Sequence, residues 1–101
     1  MYYHSKIARF LFDPALDARS PELTIREIVC ACDTRLVPDP TGPQDMSAAK
    51  RTLVRHLPSC KASTEPIRSA TEENLAAYSR DMYNESDVET PGELRVAFHK
   101  G

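Results

Sequence analysis

Three cysteines and one histidine are candidate metal ligands. Cys30-x-Cys32 and His56-x-x-x-Cys60 supply, in two close pairs, four side chains of the kinds that zinc accepts. Whether the four side chains can bind one ion depends on the secondary structure around each pair. On a helix, Cys30 and Cys32 would project about 200° apart, and Cys32 would join a buried apolar stripe. The sequence therefore predicts no metal ion and no other cofactor.

Basic side chains recur along residues 45–57, a predicted helix. Arg51 and Arg55 are four residues apart on the face opposite Met46 and Leu53. Small residues in the first turn let a backbone approach DNA, and guanidinium groups reach guanine edges or phosphates. The pattern favours a helix in the major groove, although it is also typical of a solvated helix face. The predicted DNA contacts are Ser47, Lys50, Arg51, Arg55 and His56.

Catalytic motifs are missing from the sequence. There is no glycine-rich phosphate loop, no Gly-x-Ser-x-Gly elbow and no His-Glu-x-x-His motif. The three histidines, His4, His56 and His99, are scattered along the chain. Since few glycines and a short chain seldom build a deep pocket, the sequence predicts a protein that is not an enzyme.

Apolar periodicity predicts the elements that would position these side chains. Ile25, Ile28, Val29, Cys32 and Leu36 follow helical spacing, and Ser20-Pro21 provides a helix start. Residues 93–99 alternate apolar and polar side chains, as a strand does. The expected fold is mainly α, a single domain over 1–101 with a small bundle of about four helices and one short C-terminal strand. The helices are predicted at 3–12, 21–36, 45–57 and 65–83.

Two points in this fold stay open. A strand over the first few residues is an alternative to helix 3–12. A lone strand has no hydrogen-bonding ladder of its own, so residues 93–99 must pair with the N-terminal segment, pair with another subunit, or form a loose tail.

The segment Leu23-Thr24-Ile25-Arg26-Glu27-Ile28-Val29 resembles the start of the first helix in helix-turn-helix and winged-helix DNA-binding domains. With a helix before it and the basic helix after it, the resemblance covers residues 3–57. It implies a small DNA-binding transcriptional regulator that reads the major groove with helix 45–57. Half-site recognition by such domains usually implies a two-fold pair, so a homodimer is expected.

Charge and aromatic residues support a different function. The 101-residue chain has a net charge of −2, and its acidic groups concentrate after residue 61, which favours a protein-binding inhibitor, antiactivator or adaptor without nucleic-acid contact. The longest early apolar run, Phe10-Leu11-Phe12, is too short for a signal peptide or membrane span, so a cytoplasmic protein is expected. The predicted dimer or partner contacts are Tyr78, Met82, Leu94, Val96 and Phe98.

Overall fold

The centre of the molecule is a five-stranded antiparallel sheet in the order β3-β2-β1-β5-β4. The computed structural model describes residues 2–16, 23–78 and 92–99. The strands are β1 (Tyr2–Phe12), β2 (Ile25–Cys30), β3 (Arg35–Leu36), β4 (Leu75–Tyr78) and β5 (Glu93–His99). The helices are α1 (Met46–His56) and the short α2 (Glu65–Arg68), with 3-10 turns at Leu57–Ser59 and Glu72–Asn74.

The predicted mainly-α bundle is therefore wrong. Residues 3–12 lie in β1, as the alternative interpretation had it, and 21–36 contains β2 and β3. Predicted helix 65–83 is α2, a 3-10 turn and β4 up to residue 78, and its last five residues lie outside the described part. The segment 23–29, which was compared with the first helix of a helix-turn-helix, enters strand β2 at Ile25. The helix-turn-helix interpretation is therefore wrong as well. Strand 93–99 is confirmed as β5, and helix 45–57 as α1.

Helix α1 begins and ends where local chemistry requires. The Asp45 carboxylate accepts a hydrogen bond from the Ala48 N–H at 2.9 Å, which satisfies one of the unpaired donors of the first turn. Ala49, Leu53 and Leu57 are fully buried and face the sheet. Pro58 is the second residue of the 3-10 turn Leu57–Ser59 that follows, since proline is tolerated only in the first positions of such a turn.

A β-bulge explains why β2 has helical spacing in the sequence. Leu11 pairs with Glu27 and Phe12 with Ile25, so Arg26 is the extra residue of the bulged strand. Ile25 and Ile28 are fully buried. The bulge places two solvent-accessible residues, Arg26 and Glu27, between them. Inward residues three apart, normally the sign of a helix, are here produced by a strand irregularity.

Strand β5 has partners on both sides within the chain. Its residues pair antiparallel with β1 and with β4, for example Val96 with Ala8 and with Ala77. Leu94, Val96 and Phe98 are 2%, 0% and 5% exposed, because they belong to the core beneath α1. Residues 93–99 thus pair with the N-terminal segment, one of the three alternatives that the sequence left open, and also with β4. Among the described helices, none combines the length and apolar character needed to cross a membrane.

Candidate metal centre

The three cysteines and His56 come together at one end of the fold. Their possible ligand atoms, three Sγ atoms and one imidazole nitrogen, all lie within 4.8 Å of one another. Cys30 and Cys32 come from the β2–β3 hairpin, whereas His56 and Cys60 come from the end of α1 and the turn after it. We call these four side chains the Cys/His cluster.

A tight three-residue loop, residues 31–33, follows Cys30 at the end of β2 and contains Cys32. The Cys30 N–H donates to the Thr34 carbonyl at 2.9 Å, and the Asp33 N–H donates to the Cys30 carbonyl at 2.8 Å. Asp33 has a φ of 65°, the left-handed conformation that three-residue hairpin loops commonly need and that aspartate tolerates. The loop therefore turns the chain back at once and keeps the Cys32 sulfur close to that of Cys30.

The end of α1 positions the other two side chains. His56 is the last residue of the helix, and Pro58 continues the chain in a 3-10 turn. The Cys60 N–H donates to the Leu57 carbonyl at 3.1 Å, which closes that turn. Both side chains reach the hairpin, since their ligand atoms lie within 4.8 Å of the sulfur atoms of Cys30 and Cys32.

The distances within the cluster suit a single small ion. Cys30 Sγ lies 3.4 Å from Cys60 Sγ, and Cys32 Sγ lies 3.3 Å from His56 Nε2. A tetrahedral zinc ion with Zn–S bonds of about 2.3 Å would set sulfur–sulfur edges of about 3.8 Å. The Cys30–Cys60 contact is about 0.4 Å shorter than this edge, and no separation within the cluster exceeds 4.8 Å. Three thiolates and an imidazole are a ligand set that zinc prefers, and four protein ligands leave no position open for a substrate.

The thiols of the hairpin differ in their readiness to lose a proton. Burial raises the pKa of Cys30 to about 12, and its contact with Cys60 adds to the rise. Hydrogen bonds from the Thr34 hydroxyl and from His56 lower the pKa of Cys32 to about 6. The Thr34 oxygen lies 3.0 Å from Cys32 Sγ, where it can donate to a metal-bound thiolate. A divalent cation would supply the positive charge needed to stabilise the Cys30 thiolate in its buried position.

Cys30 and Cys32 do not lie on a helix, the geometry that would have held their thiols apart. In a strand and its loop, Cys30 and Cys32 are not forced to opposite sides. Their expected exposures are also reversed: Cys30 is 3% exposed, whereas Cys32 is only partly buried. The useful signal was the combination of Cys-x-Cys at a strand end with His-x-x-x-Cys at a helix end.

The residues predicted to contact DNA do not all lie on one surface. Ser47, Arg51 and Arg55 are exposed on the outer side of α1, whereas Lys50 is half-buried. Arg51 lies 3.8 Å from the Glu72 carboxylate. His56 belongs to the Cys/His cluster, so its Nε2 faces Cys32 and is not directed to an external ligand.

The predicted partner contacts are also separated by the fold. Leu94, Val96 and Phe98 lie in the core and offer no surface to a partner. Tyr78 is the half-buried last residue of β4. Met82 lies outside the described residues, as do four of the eight acidic residues of the C-terminal half.

No protein-family model, curated protein or solved structure matches this chain.

Proposed function

We propose that the chain is a non-catalytic zinc-binding protein in which one ion fastens the β2–β3 hairpin to the end of helix α1. The observation that carries the proposal is the convergence of four ligand atoms within 4.8 Å from two separate parts of the chain. Three thiolates and one imidazole make a closed tetrahedral set, which is the form of structural zinc sites. Thiols available for metal fit the expected cytoplasmic location, where reducing conditions oppose disulfides.

The position of the cluster in the fold supports a structural role. The hairpin has only two residues in β3, and Leu36 is the partner of Ile28 at that edge. A strand this short contributes little pairing energy by itself. An ion bound by both the hairpin and α1 would therefore stabilise the sheet edge and the helix end together.

Titration of the reduced protein with cobalt(II) tests the site directly. We expect one equivalent to bind with the intense absorption of tetrahedral thiolate coordination, and zinc to displace it. Cys60→Ser should weaken zinc binding by at least about 100-fold, because a structural site of about 10–16 kcal/mol shares its energy among four ligands. Ser59→Ala is the matched control, an exposed neighbour outside the cluster. Octahedral, weak cobalt binding by the wild type would overturn the proposal.

A second function, phosphate-backbone binding to DNA by a small regulator, is favoured by a groove beside α1. The groove has a volume of about 220 Å³, and Arg51, Thr52 and Arg55 line its helical side. Within the part of the chain that the structure describes, Arg55 has no ion-pair partner. Arginines at four-residue spacing with room between them and the loop suit phosphate oxygens. Asp39 also lines this groove and partly offsets its charge.

The double variant Arg51→Ala/Arg55→Ala tests the DNA proposal. Each lost contact should cost on the order of 1–3 kcal/mol, so affinity for a short duplex should fall tens-fold or more. Stability should change by about 0.5 kcal/mol or less, because both side chains are exposed. Binding is measured by fluorescence anisotropy over a salt series, and the wild type should show a steep loss with salt.

Arg26→Ala/Arg68→Ala is the matched control for that experiment. It removes the same charge from exposed positions on β2 and α2, away from the groove. An equal loss of affinity in both variants would mean that the change in net charge, and not the loss of contacts in the groove, weakens DNA binding. No binding by the wild type at low salt would exclude DNA and favour a protein partner instead.

A further inference from the structure

Two of the three thiols are placed to form a disulfide between separate elements. Cys30 ends β2 and Cys60 follows the 3-10 turn after α1, and their Sγ atoms are 3.4 Å apart. A disulfide bond is about 2.05 Å long, so bond formation requires the sulfurs to approach by about 1.4 Å. Side-chain rotation covers such a distance without moving either element far.

Such a disulfide would join the same two elements that the metal joins. The ion would connect hairpin to helix end through four ligands, whereas the disulfide would do so through Cys30 and Cys60 alone. With these two thiolates consumed, only Cys32 and His56 would remain as ligands. Two ligands do not make the closed set that structural zinc requires, so oxidation and metal binding exclude each other.

We infer that the Cys/His cluster is a site of reversible oxidation, at which hydrogen peroxide converts Cys30 and Cys60 to a disulfide and releases the metal. The inference rests on the proposed zinc-binding function. The reactant at this site is a peroxide, a two-electron oxidant. The product is a disulfide that still links the β2–β3 hairpin to the end of α1.

Exposure identifies the thiol that meets the oxidant first. Cys30 and Cys60 are 3% and 1% exposed, whereas Cys32 is only partly buried. Susceptibility to peroxide follows access as well as thiolate character, so Cys32 is the entry point. Its sulfur attacks one peroxide oxygen, an S–O bond forms, the O–O bond breaks, and the departing hydroxide takes a proton to become water.

Two further steps carry the oxidation inward. Cys30 Sγ attacks the sulfenic sulfur of Cys32, which forms an S–S bond and expels hydroxide as a second water. Cys60 Sγ then attacks Cys30 Sγ and releases the Cys32 thiolate, a thiol–disulfide exchange that consumes no oxidant. In total, two thiols and one peroxide give one disulfide and two waters.

Peroxide treatment of the zinc-loaded protein tests the inference. A chromogenic chelator reports released zinc, thiol titration counts the remaining cysteines, and peptide mapping locates the disulfide. We expect one zinc released for each disulfide formed, a fall from three thiols to one, and a Cys30–Cys60 linkage in the map. A dithiol reductant followed by zinc should restore the loaded protein.

Variants separate the steps of the route. At saturating zinc, Cys32→Ser should form the Cys30–Cys60 disulfide at least about tenfold more slowly, since the accessible thiol is gone. Cys60→Ser should form no linkage between hairpin and helix end. Zinc that never binds to the wild type would defeat the proposed function itself. Zinc that binds but is released with sulfinic acid, or with a different final disulfide, would overturn the inference alone.

Discussion

Removal of the metal is expected to lower the melting temperature of the protein by about 15–30 °C. Zinc at a thousand times its dissociation constant adds about 4 kcal/mol to the stability of the folded state. For a domain of this size, each kcal/mol corresponds to about 4–8 °C. The effect is large because the ion joins the β2–β3 hairpin to α1, two parts that otherwise meet through side-chain packing. Calorimetry with and without a chelator measures it.

A variant without the cluster isolates this effect from others. Cys30→Ala/Cys60→Ala lacks two of the four ligands and leaves the rest of the core unchanged, so neither zinc nor chelator should shift its melting temperature. In the wild type the metal-dependent increment should shrink as the pH falls, because protons then compete for the ligand thiolates. An identical melting temperature for wild type with and without chelator would contradict the structural role.

Truncation of Phe10 to alanine should destabilise the protein by about 3–5 kcal/mol, because a fully buried aromatic side chain leaves a cavity. Phe10 is 0% exposed on the central strand β1, where it pairs with Ile28 on one side and Leu94 on the other. Leu11 points to the opposite face of the sheet and is half-buried. Leu11→Ala should therefore cost much less, about 1 kcal/mol.

The pair of variants distinguishes the strand from the helix that the sequence suggested. On a helix over 3–12, Phe10 and Leu11 would share the inner face, and both truncations would be costly. Urea unfolding of the two variants gives the comparison. Similar losses for Phe10→Ala and Leu11→Ala would argue against β1 as the structure has it.

The elements that the sequence predicted well are those with strong local signals. Helix α1 has a capping Asp45 and a limiting Pro58, and both act on their immediate neighbours. Strand β5 has clean alternation of its side chains. Strand β2 lacks it, because the bulge at Arg26 spaces its inner residues like a helix and Ile28, Val29 and Cys30 are all buried. Pairing with β1, which lies far away in sequence, decides its structure.

The Cys/His cluster was missed for the same reason. Its residues were recognised as ligand types, but Cys30 and Cys32 were assigned to a helix that would separate them. Only the hairpin loop, with Asp33 in the left-handed conformation, brings the two sulfurs together. The approach of His56 and Cys60 to that loop depends on how α1 packs on the sheet, which no local pattern encodes.

The central position of β1 also has a consequence for how the chain is made. Arg9 pairs with Val29 on one side and with Arg95 on the other. Val29 is close to Arg9 in the sequence, whereas Arg95 is near the other end of the chain. At roughly 5–20 residues per second, about 4–17 s of synthesis separate residue 9 from residue 95. During that interval β1 can form a hairpin with β2, but its other edge stays open to foreign strands. The nascent chain is therefore exposed to aggregation through this edge until β5 emerges from the ribosome.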